Sequence, residues 1–374
     1  MSEFRLTTVE EFEAATARLL ETGAKVGADS WQARVKNQTP HCKFGEEGIC
    51  CRICTMGPCR ITKKAPRGIC GCDVHGIVGR NYLKFTAGGA ATHSDHGREI
   101  CHTLYEASAD GCYKVKDPEK LIRIAKEWGM ETEGKDIYEL AHEVALEGLM
   151  EYGKPFGTQR FLKRAPESQQ KLWEENELAP HAIDREVSRS LHMAHMGCSS
   201  KPEALVKQSI RAGLSDGWGG SMMGTEFSDI LFGTPKPIET EANLGVMVEE
   251  NVNIVVHGHD PSLSEMICEV ADSPEMIAYA KEQGAKGITI SGVCCTSNEV
   301  AMRRGIPMAG NFLQQENVVL TGACEAIVVD VQCIFPALGP LSKCFHTKFI
   351  TTSPIAQMPD SEFVRFDAHT ALEK

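Results

Sequence analysis

Four cysteines spaced as Cys51-x2-Cys54-x4-Cys59-x10-Cys70 put three thiols into one nine-residue loop and a fourth shortly beyond it. Thiolates placed this way can converge on the corners of an iron–sulfur cubane. Tetrahedral zinc is the competing use of a CxxC pair, but zinc sites usually join two such knuckles, and here the second half is the lone Cys70. Cys72 follows two residues on, outside the tighter GIC-G turn that holds Cys70. Just upstream, Cys42 and Cys50 are separated by seven residues. Two thiols cannot complete a four-cysteine cluster alone. Two copies of the chain meeting on a two-fold axis would supply four, and a pair of buried free cysteines is the plainer alternative.

The segment HSDHGREICH sets His93, His96, Glu99 and His102 three residues apart. On a helix each such step turns about 300° and climbs about 4.5 Å, so the four groups form a gently winding stripe. Side chains that titrate near neutrality at these intervals suit a proton relay; an exposed polar face would use the same residues. His192 and His195, in LHMAHMGC, read as core or surface residues rather than ligands. Farther along, His257, His259, Cys295 and Cys333 suggest a second site with mixed nitrogen and sulfur donors, which suit iron, nickel or zinc. These donors are too few for a large cluster.

The elements that must position these residues change character along the chain. The first two-thirds reads as mostly helical. Thr8 with Glu11 makes a capping box before an Ala/Leu-rich run to Leu20. Asp117-Pro118 and Asp136 each open an amphipathic stretch, the second closed by Gly153, and PEALVKQSIRAG ends near Gly213. After Pro235–Pro237, short β-branched runs alternate with helical segments. NIVVH (253–257), GITIS (287–291) and AIVVDV (326–331) are each followed by helix or turn, the signature of βαβ units around a parallel sheet. Ligands gather at the carboxyl ends of such strands, where the mixed donors fall. The closing DAHTALEK reads like the opening of a helix.

Across 374 residues there is room for two domains. The net charge of -12 argues against nucleic acid and anionic membranes as partners. No apolar run approaches the ~18 residues of a membrane span. The N-terminal segment lacks the basic-then-apolar pattern of a secretory signal, so the expected location is cytoplasmic. There, sixteen cysteines point to metal ligation rather than to disulfides.

CKFGEEGICCRICTMGPCR, the GICG turn, AATHSDHGREICH, VVHGHDP, GVCCTSNEV and DVQC occur in this order, and together resemble the nickel–iron carbon monoxide dehydrogenase catalytic subunit. The resemblance implies an α + α/β fold of the hybrid-cluster/CO dehydrogenase kind. A helical Fe–S domain (1–233) would precede a Rossmann-like domain (234–374), in a homodimer. It implies that Cys42 and Cys50 share a cluster between subunits, and that Cys51, Cys54, Cys59 and Cys70 hold a [4Fe-4S] relay cluster. Cys72 has no counterpart and is a bystander in that pattern. His259, Cys295 and Cys333 match ligands of a Ni-Fe-S active cluster, with His259 preferred to His257 and Cys295 to Cys294. His93 matches a proton-transfer histidine, with His96 and His102 continuing outward and Glu99 standing where the family can carry a further histidine. The implied partners are CO and CO2, a ferredoxin-like acceptor and acetyl-CoA synthase.

The chain departs from the family in length. The resemblance implies a further Rossmann-like domain with three more cluster cysteines and a catalytic lysine, and Cys324 and Cys344 lack the matching motifs. A second polypeptide completing the site, a truncated product and an inactive fragment are all consistent with the sequence. So are a non-catalytic electron-transfer module and a hydroxylamine reductase-like hybrid-cluster protein, although Cys42/Cys50 and the histidine stripe speak against the latter. A zinc-stabilised regulatory protein is the remaining reading.

Overall fold

The computed structural model describes residues 9–111 and 113–368. Its contacts divide into two compact units, one running from Pro40 to Gly233 and the other joining the described residues up to Thr39 to those from Thr234 onward. The leading segment therefore groups with the later part of the chain rather than with the helical domain expected over 1–233. Helices α1 (Val9–Lys25) and α2 (Trp31–Asn37) explain why. Leu19 and Leu20 of α1 pack against the apolar core beside the sheet. The Trp31 backbone N–H donates to Glu316 Oε2 at 2.6 Å, its indole N–H donates to the Leu313 carbonyl at 2.9 Å, and Arg34 pairs with Glu316. The partners lie 285 and 282 residues away, beyond the reach of any local pattern. The Thr8 cap falls outside the described residues.

The helical unit begins with α3 (Lys43–Glu46), a short antiparallel ladder of β1 (Cys50–Cys51) and β2 (Cys59–Arg60), and α4 (Val74–Asp110). At 37 residues, α4 is the axis of the unit, and Asp73 caps its start by accepting from the Gly76 N–H. Around it lie α6 (Ile137–Gly153), α8 (Ile183–Ala194), α9 (Pro202–Ser215) and α10 (Met222–Phe232), with α5 (Pro118–Glu127) and α7 (Glu167–Glu175) outside them. Asp117 and Asp136 cap α5 and α6 as their sequence positions predict. Leu83, Ile100 and Leu104 of α4 are fully buried against these neighbours. Between α9 and α10 the helix widens into a π turn, Asp216–Ser221. Its glycines let it approach closely: a Cβ on Gly220 would stand 3.0 Å from His93 Cβ.

The second unit carries a six-stranded sheet in the order β5-β4-β3-β6-β7-β8, with every pairing parallel. Its strands are β3 (Val252–His257), β4 (Ile288–Val293), β5 (Met308–Gly310), β6 (Ala326–Val329), β7 (Lys348–Thr351) and β8 (Glu362–Phe363). The chain starts at β3 in the middle, builds outward through β4 and β5, then returns to the other side through β6, β7 and β8. The place where the direction reverses, between β3 and β6, is the switch point at which open α/β sheets bind ligands. On one face, Val255, Val293, Ile327 and Val329 pack with α14 (Gln315–Leu320), α15 (Leu338–Ser342) and α1. On the other, Val256 and Ile290 meet α11 (Pro261–Ala271) and α13 (Cys294–Arg304), while α12 (Pro274–Glu282) lies between α11 and β4 in the chain. The three strands expected from the sequence are β3, β4 and β6. No described helix is long and apolar enough to cross a membrane.

Glu316→Ala should leave the Trp31 N–H and the Arg34 guanidinium without their acceptor. The expected cost is about 1–3 kcal/mol. Amide exchange in residues 14–37 should accelerate while the strands stay protected; unchanged exchange there would refute this account of how the first two helices are held.

Candidate metal centres

The first centre is built by a hairpin and a turn at the base of α4. β1 and β2 pair Cys51 with Cys59, which sets two thiols side by side, and Cys54 lies in the connection between the strands. Asn81 of α4 donates from its side-chain amide to the carbonyls of Gly48 and Cys50, at 2.9 and 3.0 Å, and so ties the hairpin to the helix. Cys70 sits in a turn closed by Gly71 N–H to the Gly68 carbonyl and by Gly68 N–H to the Cys72 carbonyl, both 2.8 Å. Cys51, Cys54, Cys59 and Cys70 line one hollow, as their spacing predicts, and Cys72 lines it too. The Ile69 N–H donates to Cys59 Sγ at 3.4 Å. A hydrogen bond from the Cys72 backbone holds the Cys70 thiol below the usual range, with help from Arg80, whereas burial pushes the Cys72 thiol up. A purely thiol donor set with N–H groups aimed at its sulfurs fits an iron–sulfur cluster, whose potential such bonds tune. Cys42, exposed at the start of α3, and Cys50, half-buried on β1, do not line this hollow.

The histidine stripe lies on α4 as expected. His93 and His96 are half-buried, and Glu99 and His102 are exposed, so the stripe runs from the packed side of the unit toward solvent. His93 Nδ1 is 2.6 Å from Asp216 Oδ1 in the π turn. That hydrogen bond raises the His93 pKa against the opposing effect of burial. Asp216 was not singled out from the sequence. Its signal is DGWGGS, a glycine-rich interruption after a helix, since π turns frequently mark functional sites.

The second centre forms at the carboxyl edge of the sheet. His257 at the end of β3 is level with Val293 of β4 and Val329 of β6. The residues that follow therefore leave three adjacent strands at the same height: His259 after β3, Cys294 and Cys295 after β4, and Cys333 after β6. The backbone is left-handed at Cys294 (φ 69°), Gln332 (φ 68°) and Cys333 (φ 57°). Non-glycine residues cost energy in this region, and such outliers cluster at active sites. The Cys294 thiol hydrogen-bonds the Cys333 sulfur, and burial drives it up to about 12. Cys295 and Cys333 stay exposed.

One buried carboxylate binds these loops together. Asp330, at the end of β6, accepts from the backbone N–H of His259 at 2.6 Å, of Asp260 at 3.0 Å and of Val331. Burial pushes its carboxyl well up, reinforced by Asp260 and opposed by the three donors. Gly258 makes the approach possible: its φ is 134°, and a Cβ there would lie 1.7 Å from Asp330 Oδ1. Thr296, on the first turn of α13, donates its N–H to the Gly258 carbonyl at 3.0 Å, and its hydroxyl meets Ser264 Oγ at 2.7 Å. Neither Asp330 nor Gly258 was singled out from the sequence, although GHD and VVDV flank them.

The two histidines of this loop have different surroundings. His257 is 1% exposed, with Nε2 3.2 Å from Gln315 Oε1 and Nδ1 3.4 Å from the Val293 carbonyl. Burial lowers its pKa to about 4, so it is a neutral part of the core near pH 7. Gln315 in turn donates to the carbonyls of Phe312 and Cys333, at 2.6 and 2.9 Å. His259 lies one residue past Gly258, with its backbone fixed by Asp330. Among the described residues, no three His, Cys, Asp or Glu side chains gather tightly enough to hold a single metal ion. A multinuclear cluster asks for donors spread around a space, and the thiols after β4 and β6 with His259 on the loop after β3 meet part of that requirement.

A thiol-lined hollow in a helical unit and a His/Cys edge on a parallel α/β unit offer the donor types that metal-cluster proteins use. The chain belongs to the Prismane/CO dehydrogenase family, whose model matches residues 49–374. Carbon monoxide dehydrogenase 1 of Methanosarcina mazei is 46% identical over 369 residues, covering 97% of this chain and 59% of that protein. The carbon monoxide dehydrogenase/acetyl-CoA synthase subunit beta of Moorella thermoacetica is 42% identical over 344 residues, 90% of this chain and 51% of that protein. A Ni-free crystal structure of carbon monoxide dehydrogenase from Thermococcus sp. AM4 superposes with a TM-score of 0.93 at 47% identity, over 96% of this chain and 57% of that one. Complexes of such dehydrogenases with acetyl-CoA synthase exist among its structural relatives. The chain spans about three-fifths of the length of the curated relatives it matches (59%, 60% and 58%).

Two substitutions test this geometry. Asp216→Asn should bring the His93 pKa down toward the ordinary 6.5, followed by NMR titration of the ring protons; an unmoved pKa would mean that Asp216 does not control the imidazole. The sign carries over to stability. A raised native pKa stabilises the fold below about pH 6.5, and that contribution fades as pH climbs through the native value. Gly258→Ala should cost several kcal/mol, because it meets both the left-handed backbone and the Asp330 carboxylate. A urea midpoint equal to wild type would contradict the role given to Gly258.

Proposed function

We propose that this chain is part of a nickel-dependent carbon monoxide dehydrogenase, which catalyses CO + H2O → CO2 + 2 H+ + 2 e− reversibly in the cytoplasm. The observation that carries the reading is the level delivery of His259, Cys295 and Cys333 from three adjacent parallel strands, locked by Asp330. These three residues would hold a Ni-Fe-S active cluster together with ligands from polypeptide outside these 374 residues. His259 is preferred to His257 because the latter is enclosed by Gln315 and Val293. Cys295 is preferred to Cys294 because Cys295 is exposed, whereas Cys294 is buried and its thiol is already engaged with the Cys333 sulfur. When bound, the cluster supplies two-electron oxidation of CO by water.

The remaining residues serve charge transport. His93, kept protonatable by Asp216 at Nδ1, accepts a proton at Nε2 and passes it outward along His96, Glu99 and His102 to solvent. Glu99 is exposed and sits where the relay reaches the surface, so its carboxylate can hand protons to solvent. Cys51, Cys54, Cys59 and Cys70 hold a [4Fe-4S] relay cluster. Cys42 and Cys50, which stay out of the relay hollow, supply half of a second cluster shared with another copy of the chain, so the active form is a homodimer. Electrons leave to a ferredoxin-like protein, and an acetyl-CoA synthase is the partner class to which the similar Moorella protein points. The small neutral substrate is compatible with a net charge of -12.

The test is anaerobic purification with and without a polypeptide carrying the remaining cluster cysteines. Nickel, iron, acid-labile sulfide and CO-dependent dye reduction are measured on both samples. Nickel and activity should appear once the ligand set is complete. Iron and sulfide without nickel or activity in either sample would sink the dehydrogenase reading and leave an electron-transfer module.

A further inference from the structure

The hollow in the helical unit is lined by five thiols where a four-cysteine cluster uses four. Cys70 is exposed and Cys72 is 6% exposed, yet both reach the same space as Cys51, Cys54 and Cys59. They are the two ends of a three-residue turn whose centre, Gly71, has φ 88°. Two hydrogen bonds close this turn, Gly68 N–H to the Cys72 carbonyl and Gly71 N–H to the Gly68 carbonyl, and both cysteines line the hollow from it. Room is made for the fifth sulfur: a Cβ on Gly76 would lie 2.6 Å from Cys72 Sγ and 2.8 Å from the Ser200 carbonyl. Arg80, 3% exposed and anchored at 2.8 Å to the Ser199 carbonyl, brings a positive charge to the same wall. Cys72 thus shares a wall with four thiols and a guanidinium as well as with the apolar side chains of Ile53, Ile77 and Met196.

We propose that Cys72 is a reserve ligand, able to bind the relay cluster at its fourth corner in place of Cys70. This rests on the reading that Cys51, Cys54 and Cys59 hold an iron–sulfur cluster. In the exchange, one iron–sulfur bond forms and one breaks. The Cys72 thiol gives its proton to solvent, the departing Cys70 thiolate takes one up, and no electron is transferred. Cys70 is the ligand that solvent and oxidants meet first, so a buried substitute two residues away keeps the cluster held when Cys70 is lost.

The full chain is loaded anaerobically with ferrous iron and sulfide as wild type, Cys72→Ala, Cys70→Ala and Cys70→Ala/Cys72→Ser, the last chosen to preserve volume. Iron and sulfide are counted, and dithionite-reduced samples are examined by low-temperature EPR. Cys72→Ala and Cys70→Ala should keep the wild-type iron content, Cys70→Ala with a shifted EPR pattern, and the double variant should lose about four irons per chain. A loss of about four irons in Cys70→Ala, a three-iron signal in it, or full iron in the double variant would each overturn the proposal. Wild type that takes up no iron would overturn the cluster reading itself, a result distinct from any of these.

Discussion

Strand register is the constraint on which the second site depends. β3 is level with both β4 and β6, so the chain leaves all three strands at one height. A slip of one residue on either side would move its donor by ~3.3 Å and turn it to the opposite face. Apolar packing enforces the register. Val255, Val293, Ile327 and Val329 are buried on one face, and Val256 and Ile290 on the other, so a slipped strand would present the wrong alternation to both cores.

Register brings the loops to the same height, and Asp330 holds them there. A carboxylate 3% exposed would be costly by itself, and three backbone donors offset that cost. The bonds run from β6 to the residues after β3, so the loops bearing His259 and Cys333 are fixed by one side chain. Thr296 connects the third loop through the Gly258 carbonyl. The left-handed residues Cys294 and Cys333 lie on these same loops, and such conformations persist where surrounding structure fixes the backbone.

Much of this was legible in the sequence because it was local. The cap residues Asp117 and Asp136, the β-branched runs that became β3, β4 and β6, and the thiol spacing around the cysteine-lined hollow are all short-range patterns. What was not legible depended on distance along the chain or on the absence of a side chain. The attachment of α1 and α2 to the sheet unit rests on Glu316 and Leu313, nearly three hundred residues away. Asp216 acts through His93, and Asp330 through the His259 and Asp260 amides, partners that only folding brings near. Gly258 and Gly220 matter for the atoms they lack. Cys72 was passed over because it did not fit a four-ligand count, and only its burial beside the others shows where its sulfur lies.

Helix α4 carries both Asn81, which ties down the cysteine hairpin, and His93, where the titratable stripe begins. Twelve residue steps of uninterrupted helix separate them, a span of about 18 Å set by the rise per residue. Loops elsewhere in the molecule can lengthen or shorten as homologues diverge, but this interval cannot. A single inserted residue would swing the stripe by about 100° around the axis and carry His93 away from Asp216. The helix works as a ruler with a fixed phase as well as a fixed length. Its evolutionary record should therefore show substitutions but no insertions or deletions between those two positions.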